Sequence, residues 1–388
     1  MKILVTGATG FIGSRLCERL KLYYQLPFRA MVRNFTNAHR IARLDIEMVY
    51  GDLQNKESIG SALRGCDSVM HLAHGDPGSA PEETKNLLSA ALMAKIKRFV
   101  HVSSMAVHGP SPGPECAHEE TAIIGKYGEP YSDSKAEVEK LVHRACKGEG
   151  LPAVILRPTI VYGPYGPFVI DVIANARQGK ISLIDEGRGI CNAVYVDDVC
   201  DAIHAALRCD EAVGKALLIT ADRAVSWSEF NLTFAQMAQP APKVENFSSQ
   251  EVRRYWEAQL PGLRTDLRAF SNLLISSDFH DQLSKVPSLR AAIIGTKRII
   301  TKHLAPQTVF TLRSHYQKPS SPSPSAHRNW PNRGRVVREA FHLEFSNSRA
   351  KELLNWKPAY DFEEGAEITR TWLSFARLLP SEQDWAVQ

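Results

Sequence analysis

Thr6-Gly7-Ala8-Thr9-Gly10-Phe11-Ile12-Gly13 follows an apolar run at 3–5 and opens an amphipathic segment at 12–23. Three glycines at this spacing permit a tight strand-to-helix turn, and they let a pyrophosphate approach backbone N–H groups at the positive end of a helix dipole. A glycine triplet alone is weak, because a ligand-free turn uses the same residues. The strand before it and the helix after it make the turn a dinucleotide site. Gly7, Thr9, Gly10, Phe11, Ile12 and Gly13 are therefore candidate cofactor-binding residues.

Working outward, apolar strand candidates recur at 28–32, 47–50, 68–72, 98–102 and 153–156, with amphipathic segments at 81–95 and 132–147 between them. Strands alternating with helices of this length predict βαβ units, and right-handed crossovers reduce these to a doubly wound parallel sheet of Rossmann type, an α/β fold. The reading places a cofactor-binding domain at 1–163, with 190–222 interleaved, and a smaller substrate-binding part at 164–388. At 240–340 the alternation fails. There 16 Lys and Arg stand against 7 Asp and Glu, an excess of +9, so the remainder carries −4 within the whole-chain +5. This basic insertion runs into a Pro/Ser-rich stretch, read as a flexible loop at 318–333.

Composition excludes several classes. Charged residues at 23% and hydrophobic residues at 44% suit a globular protein. No run approaches the ~18 apolar residues of a membrane span, and the glycine at position 7 comes too early for a signal peptide. The 7 cysteines form no CxxC pair, which predicts reduced thiols in a cytoplasmic protein and no metal site. The basic excess is modest and has no aromatic-interleaved patch, so nucleic-acid binding is not expected.

At the end of the second strand, where a carboxylate would bond a ribose 2′-hydroxyl, the chain has Arg33. An arginine there suits a 2′-phosphate, favouring NADP over NAD. Asp52 and Leu53 follow the third strand, where a carboxylate could accept from the adenine amine, and Leu72, Ala73 and His74 close the fourth strand at the cofactor edge. The fifth strand runs into Ser103-Ser104, and 27 residues after Ser104 comes Tyr131-Ser132-Asp133-Ser134-Lys135. Residues four apart share a helix face. The Lys135 ammonium would thus favour the Tyr131 phenolate and make it a general base near neutral pH.

The set TGATGFIG, GDL, HLAH, HVSSMAVHG, YSDSK, LRPTIVYGP and YVDDV resembles the extended short-chain dehydrogenase/reductase family, the NAD(P)-dependent epimerase/dehydratase group. The likeness covers about 1–235 and resumes at 345–380. It implies that Tyr131 is the catalytic acid/base, that Lys135 assists it and holds the nicotinamide ribose, and that Ser104 is the catalytic serine. Ser103 and Pro158 join the cofactor contacts, and Asp197-Asp198 anchor the second domain as structural residues. Two departures matter. Where 4,6-dehydratases carry an acidic pair after the catalytic Ser/Thr, this chain has Met105 and Ala106, which argues against that dehydration. His108 replaces a more usual aromatic and is read as packed and neutral.

The expected function is an NAD(P)-dependent epimerase or oxidoreductase acting on a secondary alcohol or ketone of a nucleotide-sugar, as a homodimer with a small-molecule substrate. The alternative is an NADP-dependent reductase or dehydrogenase of a hydrophobic alcohol or ketone, akin to flavonol-reductase and hydroxysteroid-dehydrogenase branches. A third class, a cofactor-sensing scaffold, has no need of a complete Ser–Tyr–Lys set. Within the insertion, Leu289, Ile293, Ile300 and Leu304 fall on one helical face, away from Arg290, Lys297 and Lys302. That pattern suits a plain surface helix, a lid over an anionic substrate, or a helix lying on an anionic membrane. No Trp or Phe anchors it, which favours the lid over the membrane surface.

Overall fold

The computed structural model describes residues 1–118, 125–238, 240–259 and 330–379. The helix expected at 288–304 and all of the Pro/Ser stretch before 330 lie outside the described residues. Two compact units are present, one built from 1–249 with 334–388 and the other from 250–333. The expected boundary at 163 thus falls inside the first unit, which carries both the cofactor turn and the C-terminal segments.

The first unit is built on a seven-stranded sheet. In chain order its strands are β1 (Ile3–Thr6), β2 (Phe28–Val32), β3 (Glu47–Tyr50), β4 (Ser68–His71), β5 (Arg98–Val102), β6 (Ala153–Pro158) and, after four short strands elsewhere, Ala216–Ile219. The spatial order runs from Ala216–Ile219 through β6, β5, β4, β1 and β2 to β3, every pairing parallel. β1 lies between β2 and β4, so the direction of winding reverses there, and a crevice opens at the carboxyl ends of β1 and β4. The doubly wound parallel sheet expected from the alternating pattern is the fold observed.

Helices cover both faces, which is why β1, β4, β5 and β6 are buried along their whole length instead of alternating. On one face pack α1 (Phe11–Leu22) and Val196–Ala206; on the other, Lys56–Leu63, α2 (Ala80–Met93) and α3 (Pro130–Glu149). The helix Lys56–Leu63 is an addition to the elements expected from apolar periodicity. The capping chemistry is local: Glu129 accepts from Ser132 N at 2.7 Å to start α3, and Gly150 at φ +74° ends it.

The two residues of the acidic pair make different structural contacts, and of the two it is Asp198 that reaches the C-terminal part. Asp197 accepts from Arg15 at 2.6 and 2.8 Å and from Arg19 at 3.0 Å, tying its helix to α1. Asp198 accepts from Ala359 N at 2.6 Å, and its carbonyl accepts from Trp356 Nε1 at 3.0 Å, which holds the C-terminal segment in place. In the second unit the ring of Tyr255 stacks on Trp330 with centroids 4.4 Å apart, and Trp256 Nε1 donates to Pro331 O at 2.8 Å. No helix among the described residues is long and apolar enough to cross a membrane.

Candidate active site

The glycine turn is fixed by backbone contact. Gly7 sits at φ +70°, and a Cβ there would lie 2.6 Å from Ala73 N and 2.7 Å from the Leu72 carbonyl carbon. A Cβ on Gly13 would stand 2.0 Å from Gly7 O, a backbone atom that cannot swing away. The turn closes with Gly10 N donating to Gly7 O at 3.0 Å, and α1 then starts at Phe11 with Gly10 as its N-cap and no side chain capping its first turn. Those first-turn N–H groups have no partner within the helix, the chemistry a pyrophosphate requires. A cradle that any Cβ would fill, ending at an uncapped helix N-terminus, fits a dinucleotide. Leu72 and Ala73 form its far wall; Thr9, in the turn, and Phe11 and Ile12, at the start of α1, are half-buried.

The adenosine side lies along β2 and β3. Arg33 is exposed directly after β2 and forms no ion pair with any described residue. Asp52 Oδ1 accepts from Gln54 N at 2.9 Å, which sets the carboxylate in a tight turn, while Leu53 is buried beneath it.

Ser104, Tyr131 and Lys135 come together beyond the carboxyl end of β5. Ser104 caps the turn Met105–His108, its Oγ accepting from Ala106 N at 3.2 Å, and its hydroxyl acts to lower the Tyr131 pKa. Tyr131 stands in the first turn of α3, and its residue is 41% exposed. Lys135, one turn on, is buried, with Nζ 6.0 Å from the Tyr131 ring centroid and donating to Val102 O at 3.3 Å. Burial lowers the Lys135 pKa to about 8 against the opposing pull of Glu139. Burial also raises the Tyr131 pKa, and the Ser104 hydrogen bond offsets part of that rise. The expected depression of Tyr131 by Lys135 is therefore corrected: desolvation of the phenol is the larger effect, and Ser104 is the group that opposes it.

Behind the trio lies a buried ionic cluster that sequence reading did not find. Glu139 is fully buried and pairs with Arg157, whose Nε donates to it at 3.0 and 3.2 Å. Ser103 donates its hydroxyl to Glu139 Oε2 at 2.7 Å, so the side chain expected at the cofactor serves this cluster. Burial would raise the Glu139 pKa, but hydrogen bonds from His143, Arg157 and Ser103 hold it down at about 2. Arg157 Nη1 donates to His108 Nε2 at 3.2 Å, which requires a neutral imidazole, and burial and Arg157 lower the His108 pKa to about 4. Pro158 ends β6, buried next to this cluster's arginine. The YxxxKxxxE spacing in α3 was the available signal: Tyr131, Lys135 and Glu139 share one helix face.

An apolar cluster packs against Met105, the residue after Ser104. Phe345, 3% exposed, packs with Cys116 and Leu218, and Met105, Phe341 and Leu343 pack against them. Its ring lies 6.0 Å from that of His108. This segment is held by Asn192, which donates to Leu343 O at 2.9 Å and accepts from Phe345 N at 2.9 Å.

Known proteins bear out the architecture. Residues 3–219 match the model of the NAD dependent epimerase/dehydratase family. The 2-alkyl-3-oxoalkanoate reductase of Shewanella oneidensis is 30% identical over 248 residues, 58% of this chain and 63% of that protein. The 3beta-hydroxysteroid-dehydrogenase/decarboxylase isoform 1 of Arabidopsis thaliana is 28% identical over 264 residues, 58% of this chain and 59% of that protein. The chain thus spans about three fifths of the length of these curated relatives. Among solved structures, UDP-glucuronic acid 4-epimerase from Bacillus cereus, in complex with UDP-glucuronic acid and NAD, superposes with a TM-score of 0.65 at 19% identity, over 97% of this chain and 100% of that one. The glycine cradle, the Ser–Tyr–Lys trio and the matched residues together place this chain in the NAD dependent epimerase/dehydratase family.

Proposed function

We propose that this protein interconverts a secondary alcohol and a ketone on an apolar substrate, using NADP in preference to NAD. The observation that carries the reading is that Met105, the residue after Ser104, is half-buried and packs on the apolar cluster of Phe345. Lys135 of the trio and Arg157 behind it are engaged with Val102 O and Glu139 respectively, which supports a substrate that brings no charge of its own to these groups. The names of the relatives above, an oxoalkanoate reductase and a hydroxysteroid dehydrogenase, support a ketone on a hydrophobic skeleton. A nucleotide-sugar substrate is the competing reading, supported by a 29% identical relative named as a UDP-glucose epimerase, from Bacillus subtilis.

In this mechanism the Gly7–Gly13 cradle and the first-turn N–H groups of α1 would hold the dinucleotide, and Arg33 would pair with its 2′-phosphate. When bound, the nicotinamide supplies or accepts the hydride. Ser104 donates a hydrogen bond to the substrate oxygen and aligns it with Tyr131. The phenol gives its proton to the developing alkoxide in reduction and takes it back in oxidation. Lys135 stands one helical turn from Tyr131, and its lowered pKa lets it exchange a proton near neutral pH.

Tyr131→Phe tests the assignment, because it removes only the hydroxyl. Ketone-dependent NADPH oxidation should fall about 10²–10⁴-fold while NADPH affinity is retained. Turnover near the wild-type rate would sink the catalytic assignment. Tightly held NAD that copurifies and recycles on UDP-glucose, with no ketone reduction, would move the conclusion to epimerisation.

A further inference from the structure

Four histidines lie near the trio. His71 bonds to Thr6 Oγ1 at 2.7 Å and to Thr84 Oγ1 at 3.3 Å, and His108 accepts from Arg157 through Nε2 while its Nδ1 is unpaired among the described residues. His101 is enclosed within β5 with both ring nitrogens likewise unpaired, its ring near that of His71 and away from the Tyr131 ring. The fourth is His74, expected at the cofactor edge. Its half-buried ring stands edge-on to the Tyr131 ring, with centroids 5.1 Å apart and planes at 89°.

His74 Nε2 is shielded from solvent and has no hydrogen-bond partner among the described residues. A buried imidazole nitrogen left unpaired is unfavourable, and an edge-to-face contact with a phenol ring compensates it only weakly. An orphaned polar atom beside the acid/base tyrosine is the arrangement expected where a ligand completes the bonding. Burial and the nearby Lys135 charge hold the His74 pKa down at about 4, so at neutral pH the ring offers one N–H donor and one acceptor without charge.

We propose that His74 is a specificity-determining residue that hydrogen-bonds a second, uncharged oxygen of the substrate, close to the carbonyl held by Ser104 and Tyr131. The substrate class is then a ketone bearing a neighbouring hydroxyl, ketone or ester, and not a simple ketone. This rests on the reading of the site as an alcohol–ketone oxidoreductase and adds the substrate's second functional group to it. The neutrality of the ring matters, because a protonated imidazole would select a carboxylate.

Two probes of equal chain length test it: ethyl 3-oxohexanoate, which has the second oxygen function, and 4-nonanone, which lacks it. Each is titrated by calorimetry into the full-length protein saturated with NADP⁺, where neither is reduced. The wild type should bind the keto ester about 3- to 10-fold tighter than the ketone, the range of one neutral hydrogen bond. His74→Phe, which retains the ring and removes both nitrogens, should abolish that preference, and His74→Asn should restore part of it. If both ligands bind and the preference is the same in His74→Phe and wild type, His74 is a packing residue and the inference falls alone. If neither ligand binds the wild type, the ketone reading falls and takes the inference with it. Should the phenylalanine variant fail to fold, His74→Leu against His74→Asn makes the same comparison.

Discussion

The two sides of the site are built by different means. The cofactor side is a backbone device: eight consecutive residues, two glycines that admit no Cβ, and a helix end with free N–H groups. The side we propose for the substrate is assembled from side chains far apart in the chain. His74 follows β4, Met105 follows β5, and Phe345, whose cluster Met105 packs against, lies in a segment clamped by Asn192, more than 150 residues earlier. The first has little freedom to vary without losing its ligand. The second can change its residues while the trio between them stays in place.

The contrast can be broken from the substrate side. Phe345→Ala removes a ring that is 3% exposed from a small cluster, which should cost about 3–5 kcal/mol of stability. Thermal unfolding would report the loss, and NADPH binding at a temperature where the variant is folded should be unchanged. A fall in cofactor affinity equal to the fall in substrate affinity would show that the two sides are not separable.

Gly13→Ala attacks the other side. Its methyl would meet Gly7 O at 2.0 Å, and neither α1 nor the turn can yield without moving the anion site. Overpacking against backbone belongs at the upper end of the usual 1–3 kcal/mol, so about 3 kcal/mol is expected, together with loss of NADPH binding by fluorescence titration. A folded Gly13→Ala variant with unaltered NADPH affinity would mean that the cradle does not receive the dinucleotide.

The same contrast explains what the sequence disclosed. The sheet and the glycine turn were legible because their signals are local: apolar runs with strand spacing, and glycines where backbone meets backbone. Tyr131 and Lys135 were legible for the same reason, being one helical turn apart. The role of Ser103 was not, since the partner of its hydroxyl, Glu139, lies 36 residues on in another element. Nor was the sign of the Tyr131 pKa shift, because burial of a phenol depends on what packs over it and not on its neighbour in the helix. His74 shows the limit most plainly. Its position at a strand end is readable, but the edge-on placement of its ring against Tyr131 is decided by packing.

Arg33 gives the smallest expected effect and the sharpest separation of the two sides. The chain after β2 is fixed without it: Asn34 Oδ1 accepts from Thr36 N at 3.0 Å and caps the short turn Phe35–Ala38. The Arg33 guanidinium is left exposed, with no ion pair to any described residue, at the strand end where a cofactor ribose would lie. Arg33→Ala should therefore leave stability nearly unchanged, as surface substitutions do. A charge-assisted bond to a 2′-phosphate contributes roughly 1.5–3 kcal/mol, so NADP⁺ affinity should fall about 10- to 150-fold. Affinity for NAD⁺, which has a hydroxyl at that position, should scarcely move. The loss should also shrink as salt is raised, because an exposed ion pair is screened. Parallel calorimetric titrations of both cofactors decide the matter. If NADP⁺ and NAD⁺ weaken equally, or neither weakens, Arg33 is a solvated surface residue, and the preference for NADP loses its only support in this chain.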